Sequence, residues 1–170
     1  MKRVAIIGSP GSGKSTVAMQ LAKVSGLACI HLDQEFWLPG WKEPGKEEWS
    51  KKHSDLIAKS SWILDGGFLR TGEDRIQNCD LVVLFNIPTS VCMYRIFKRI
   101  ILNRGRVRVD GPKGCPEIFD MGFLKYVLFY KRNHKNLRPF ILKHLPQSSK
   151  LVIISNNGDI ERLLNKFKTA

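Results

Sequence analysis

The sequence predicts an α/β domain in which a parallel five-stranded sheet is covered by helices on both faces. Three observations carry that prediction. Short apolar runs alternate with stretches of helical periodicity along 170 residues, the pattern of strands joined by crossover helices. The runs show almost no polar alternation, "LVVLF" at 81–85 being the clearest, and such strands are buried on both faces. A glycine-rich segment, "GSPGSGKS", links the first run to the first helix.

Taken in order, Val4 to Ile7 reads as the first strand, bounded by Gly8. "STVAMQLAKVSG" places Val17, Leu21 and Val24 on one helical face and stops at Gly26. "LACIHLD" predicts a second strand ending at Asp33. Pro39-Gly40 and Pro44-Gly45 then mark a loop. "KEEWSKKHSDLIAKSS" sets Trp49, His53, Leu56 and Ile57 at helical spacing. "WILDGG" is a third strand running into a glycine turn, and "LVVLFNIP" a fourth. "TSVCMYRIFKRIILNR" follows as a helix with Thr89 or Ser90 as its cap. "GRVRVDGPKGCPE", with three glycines and two prolines, is a loop. "FLKYVLFYKRNHKNLRPFI" predicts one helix up to Pro139. "LVIIS" and "DIERLLNKFK" supply the last strand and helix. The whole reads as a single domain over residues 1–170.

Bulk properties narrow the function classes. Hydrophobic residues make up 43% and charged residues 25% of the chain, as in an ordinary folded domain. No run of eighteen apolar residues occurs, which excludes a membrane-spanning helix. The apolar run after Arg3 ends after four residues, too short for a secretion signal. Cys29, Cys79, Cys92 and Cys115 share no metal-type spacing, which predicts a reduced, cytoplasmic protein. The net charge of +13 is unevenly placed. Residues 95–143 hold thirteen Lys/Arg against Asp110, Glu117 and Asp120. That segment suits either a clamp for polyphosphates or a nucleic-acid contact face.

"GSPGSGKS" fits G-x-x-x-x-G-K-[ST] between a predicted strand and a predicted helix, the context that makes the pattern a phosphate loop. Gly8, Gly11 and Gly13 let backbone N–H groups face phosphates. The nucleotide contacts extend through Ser9, Pro10, Ser12 and Thr16. Lys14 reaches the β- and γ-phosphates, and Ser15 is a magnesium ligand. Bound ATP and Mg2+ are the expectation.

Two further segments carry a resemblance. "WILDGGFLRT" resembles the "LLDGFPRT" signature of adenylate kinases, and "VCMYRIFKRI" resembles their "DRIVGRR" stretch. The likeness implies the three-layer P-loop NTPase fold of nucleoside- and nucleotide-kinase type. It also implies that Arg95 packs on the adenine, that Arg99 contacts phosphates, and that the loop after them, about 104–117, is a mobile lid. "ISNNGDIERLL" is similar to the loop that passes the adenine in this class, which puts Asn157 there; Asp159 reads as a helix cap. Taken together, "GSPGSGKST", "HLDQEFWLPGW", "WILDGGF", "RGRVRVD" and "GCPE" resemble, in order and spacing, the DNA topology modulation proteins, an adenylate-kinase-related family. The family name implies DNA; the motifs imply a small-molecule kinase scaffold.

Phosphoryl transfer needs positioning and charge neutralisation. Asp65, at a strand end, can hold the magnesium shell through water or serve as a cap. Arg99, Arg104, Arg106 and Arg108 can close over the transferred phosphate, since "RGRVRVD" sets three arginines two apart, on one side of an extended lid. Arg99 and Arg106 join Lys14, Asp33 and Asp65 as the catalytic candidates.

The acceptor side departs from adenylate kinase. "HLDQEFWLPGW" leads into an insertion at about 34–60, and no arginine stands between Arg3 and Arg70. Asp33 stands where shikimate-kinase-like enzymes place an aspartate that meets the acceptor hydroxyl. It can orient that hydroxyl, take its proton, or bind magnesium through water. Trp37 and Trp41 either cover the acceptor or form a local core. Arg70 and Arg75 remain for an acceptor phosphate, and His31 and His53 read as structural. The expectation is a kinase acting on a nucleotide, nucleoside or hydroxylated metabolite. The alternative is a nucleotide-regulated DNA-associated protein that contacts nucleic acid through 95–143.

Overall fold

The computed structural model describes residues 1–67, 72–108 and 111–168. Arg70, one acceptor candidate, and Asp110 of the lid lie outside them. The elements are β1 (Arg3–Gly8), α1 (Lys14–Ser25), β2 (Cys29–His31), α2 (Leu32–Phe36), α3 (Lys46–Ile57), β3 (Trp62–Asp65), α4 (Gly72–Gln77), β4 (Leu81–Phe85), α5 (Thr89–Asn103), α6 (Met121–Asn133), α7 (Leu137–His144), β5 (Lys150–Ile154) and α8 (Asn157–Lys168).

All strand pairs are parallel, in the order β2-β3-β1-β4-β5. Successive residues of a strand face opposite sides, and the apolar runs use both. Val4 and Ile6 enter one core with Val83 and Phe85, beneath Leu21 of α1, Ile96 of α5 and Leu163 of α8. Ala5 and Ile7 enter the other with Val82 and Leu84, beneath Trp49 and Leu56 of α3, Ile76 of α4 and Ile141 of α7. The missing polar alternation thus reflects a sheet with no wet face. No helix among the described residues is long and apolar enough to cross a membrane.

Four local expectations change. β2 ends at His31, and Asp33 lies in the first turn of α2 instead of a strand. The turn of helix lifts Asp33 beyond the sheet edge into the cleft above it. α4 follows the glycine turn where no helix was read, because six residues are too few to display a period. The helix after Pro88 begins at Thr89, so neither Thr89 nor Ser90 caps it with a side chain. The long helix before Pro139 is two: α6 closes at His134, and α7 starts at Leu137 with Pro139 in its first turn, where a missing N–H costs nothing.

Parallel strands direct all their carboxyl ends to one edge. Gly8, His31, Asp65 and Phe85 end there in register: His31 pairs with Asp65, Asp65 with Ile6, and Gly8 with Phe85. The phosphate loop, Asp33 and Asp65 therefore share one cleft.

Candidate active site

The loop from Gly8 to Gly13 has the backbone its glycines predict. Gly11 has φ +74°, and a Cβ there would stand 2.5 Å from the Cys92 carbonyl oxygen. Gly13, at φ +95°, leads into α1. Lys14 Nζ donates to the Ser9 carbonyl at 3.1 Å, lying back across the loop. Arg95 Nη1 donates to the carbonyls of Ser12 at 3.0 Å and Gly11 at 3.5 Å. A groove of about 460 Å³ runs beside the loop, lined by Thr16, Gln20, Arg95, Asn157 and Ile160 among others. Arg95 and Asn157, 62 positions apart in sequence, are thereby brought together beside the phosphate loop. Asp159 is a cap: its carboxylate accepts from the Ser155 and Asn156 N–H groups while Asn156 Oδ1 accepts from Asp159.

Asp65, only 4% exposed, receives His31 Nδ1 at 2.9 Å and the Ser15 hydroxyl. Burial alone would raise its pKa, but His31, Lys14 and Ser15 outweigh it and hold the carboxyl below the usual range. The partner responds in kind. The hydrogen bond to Asp65, helped by Cys29, raises His31 to about 10, so its ring is cationic at neutral pH. His31 is therefore part of the site rather than structural. The neighbouring strands and the side of the sheet shared at one register position bring it there, and no spacing in sequence signals that. Asp65 Oδ1 is buried without a hydrogen-bond partner among the described residues.

Asp33 is exposed to solvent, with protein crowded around its carboxyl on the cleft side. Enclosure raises its pKa against the pull of Lys14; the Asp65 charge adds to the rise, and Arg108 and Arg99 oppose it. A carboxylate of raised pKa is a better proton acceptor. Tyr126 of α6, 41% exposed, lies within the field of Asp33, its hydroxyl pKa raised by partial burial and by that charge. The sequence read α6 only as a helix and missed Tyr126.

The lid arginines separate. Gly105, at φ +71°, and the Arg106 N–H to Asn103 bond make a turn, so the alternation of an extended strand is broken. Arg104 and Arg106, the latter expected among the catalytic residues, are exposed. Arg108 turns inward. Its Nε lies 2.8 Å from Glu117 Oε1, and Arg99 Nε lies 3.1 Å from the same oxygen. Glu117 is 4% exposed. It gathers two cations whose fields both reach Asp33, and sequence reasoning missed it.

The lid is fastened to the acceptor segment. Gly40 N–H donates to Gly114 O at 2.9 Å, Trp41 Nε1 to Pro116 O at 2.9 Å, and Gln34 Nε2 to Gly111 O at 3.4 Å. Trp37 packs edge-on against Phe36 and Trp41, with centroids 5.0 and 5.6 Å apart. Trp41 thus builds the seam between insertion and lid, its indole N–H spent on it, and Trp37 packs behind it within the insertion. Arg75 is fully buried behind Asp65.

No family profile and no curated protein matches this chain. Solved structures do. Shikimate kinase from Acinetobacter baumannii in complex with shikimate matches with TM-score 0.62 at 16% identity, over 98% of this chain and 90% of that one. A gluconokinase from Sinorhizobium meliloti 1021 matches with TM-score 0.55 at 13% identity, over 99% and 90%. Deoxyadenosine kinase from M. mycoides with bound dCTP matches with TM-score 0.54 at 16% identity, over 99% and 100%. The chain has the P-loop kinase fold. At these identities the likeness speaks for the fold alone, and the site must be argued from its own residues.

Proposed function

We propose that this protein is a phosphotransferase that moves the γ-phosphoryl group of ATP to a hydroxyl of a small acceptor. The observation that carries the reading is convergence. A phosphate loop with Lys14, a carboxylate of raised pKa at Asp33, and two cations held by Glu117 meet in one cleft. The small-molecule kinases among the structural neighbours support the same reading. Lys14 leaves the Ser9 carbonyl for the β- and γ-phosphates, and Arg95 frames the groove for the base. Asp33 orients the acceptor hydroxyl and takes its proton as that oxygen bonds to the γ-phosphorus; the bond to the bridging oxygen breaks and ADP leaves. Arg99 and Arg108 neutralise charge on the transferred group, the dominant need in this reaction.

The residues fit a magnesium ion. Ser15 would ligate it, and the orphaned Oδ1 of buried Asp65 would receive one of its waters. When bound, the ion neutralises phosphate charge.

The test is ADP release from Mg-ATP across nucleosides, nucleotides and small hydroxylated metabolites. Acceptor-dependent release is expected, falling on the order of 10²–10³-fold in Lys14→Ala and on the order of 10²–10⁴-fold in Asp33→Asn. Full turnover in Lys14→Ala would sink the proposal, and slow release that ignores every acceptor would replace it with a nucleotide-regulated binding protein.

Exposed Lys98, Arg104, Arg106, Lys125 and Arg132 favour a second reading, the DNA-associated one that the resemblance to topology modulation proteins implies. Duplex retention driven by this charge should ignore sequence and collapse between about 50 and 200 mM salt. No retention at the lower salt would end that reading.

A further inference from the structure

Arg75 of α4 is 0% exposed. A guanidinium taken out of water ordinarily meets a carboxylate or spends its N–H groups on acceptors. Here Nη2 donates to the Gly67 carbonyl at 2.9 Å. Nε and Nη1 have no hydrogen-bond partner, and Arg75 makes no ion pair among the described residues. Two other buried groups within its field share the deficit. The Tyr130 hydroxyl of α6 and His53 Nε2 of α3 are also without partners, and the charge of Arg75 acts on both. Buried polar atoms without partners are rare, and four occur together here: two of Arg75's own nitrogens, the Tyr130 hydroxyl and His53 Nε2.

No neighbour supplies the missing negative charge. His53 is neutral, held down to about 4 by burial and by Arg75 itself. Asp65 reaches Arg75 with its field, but the two form no ion pair among the described residues, and the Asp65 charge is already paired with His31. The arrangement lacks an anion, and the field of Asp65 ties it to the cleft.

The helix α6 joins it to the acceptor side. Tyr126 lies in the field of Asp33, and Tyr130 in that of Arg75. The two rings meet edge-on, with centroids 5.7 Å apart, one turn of helix and about 6 Å of rise from each other. We propose that Arg75 and Tyr130 form the anion-reading end of the acceptor site, where Arg75 Nε and Nη1 and the Tyr130 hydroxyl donate to a carboxylate or phosphate on the acceptor. The acceptor is then a small hydroxylated anion, with its hydroxyl at Asp33 and its charge about one helical turn away. This rests on the phosphotransferase reading of the cleft and narrows its substrate class.

The experiment is calorimetric titration of the protein saturated with Mg-ADP, so that the phosphate loop is filled. The probes are inorganic phosphate, sorbitol 6-phosphate, gluconate and neutral sorbitol, each run on wild type, Arg75→Lys and Tyr130→Phe. At least one anion should bind ten-fold or more tighter than sorbitol, and both variants should lose that preference. Whether the phosphates or gluconate win names the group that is read. Tyr130→Phe should keep or raise the melting temperature without anion, since its hydroxyl has no partner to lose; a clear fall would place that hydroxyl in the fold and overturn its role. Anions that bind no better than sorbitol, or equally to wild type and variants, would overturn the site. Anion binding lost in the variants without phosphorylation of any acceptor would support this site and remove the phosphotransferase reading. Rapid phosphorylation of neutral acceptors without anion preference would do the reverse.

Discussion

Glu117 shows how much one side chain arranges. It is nearly buried, and a single oxygen holds Arg99 at 3.1 Å and Arg108 at 2.8 Å. Glu117→Gln keeps the shape and removes the charge, so both guanidinium groups lose their anchor while remaining cationic. Turnover should fall on the order of 10–100-fold, as expected when catalytic groups drift by about 1 Å, with KM for Mg-ATP little changed. Arg106→Ala, at an exposed position, should stay within about two-fold of wild type. Steady-state kinetics on the pair decides the matter, because an equal loss in both would return Arg106 to the catalytic residues.

At the scale of elements, the seam between insertion and lid is the feature most open to a perturbation. A Cβ on Gly114 would stand 2.9 Å from Pro39 Cβ, and its φ of +70° strains any other residue. Gly114→Ala should therefore cost about 1–2 kcal/mol from backbone strain alone and part the two segments. Trp41→Phe removes the bond to Pro116, worth about 1 kcal/mol, and part of the ring contact with Trp37. Limited proteolysis within 105–117 should be fastest in Gly114→Ala, intermediate in Trp41→Phe and slowest in wild type. Equal rates would mean that the seam does not hold the lid.

For the molecule as a whole, two histidines set the pH range of stability. His53, about 4 when folded against 6.5 otherwise, takes a proton more readily in the unfolded chain. Stability should therefore fall as pH drops from 6.5 towards 4. His31 is raised to about 10 by Asp65, so its contribution is complete below 6.5 and lost as pH climbs towards 10. Urea unfolding across this range should show a maximum near neutral pH. His53→Leu should flatten the acid limb, and His31→Gln the alkaline limb together with the maximum. An unchanged acid limb in His53→Leu would show that another group controls it.

The sequence by itself determined the sheet and the phosphate loop, because both rest on local physics. Apolar strands must be buried, and G-x-x-x-x-G-K-S turns a strand into a helix whatever surrounds it. The residues of that loop were legible from motif and context, while Arg95, Asn157 and Asp65 came from the resemblance to adenylate kinases, and the structure sets them beside the loop. His31, Tyr126, Tyr130 and Glu117 were not legible, since nothing near each in sequence says what it meets. Asp33 was legible as a site residue but not as part of a helix, and α4 was too short to show a period. Only the tertiary structure decided that Glu117 sorts Arg99 and Arg108 from Arg104 and Arg106. It also decided that Trp41 holds the lid and that Arg75 is buried without an anion. Charge and burial are properties of neighbourhoods, and the fold makes neighbours of residues far apart along the chain.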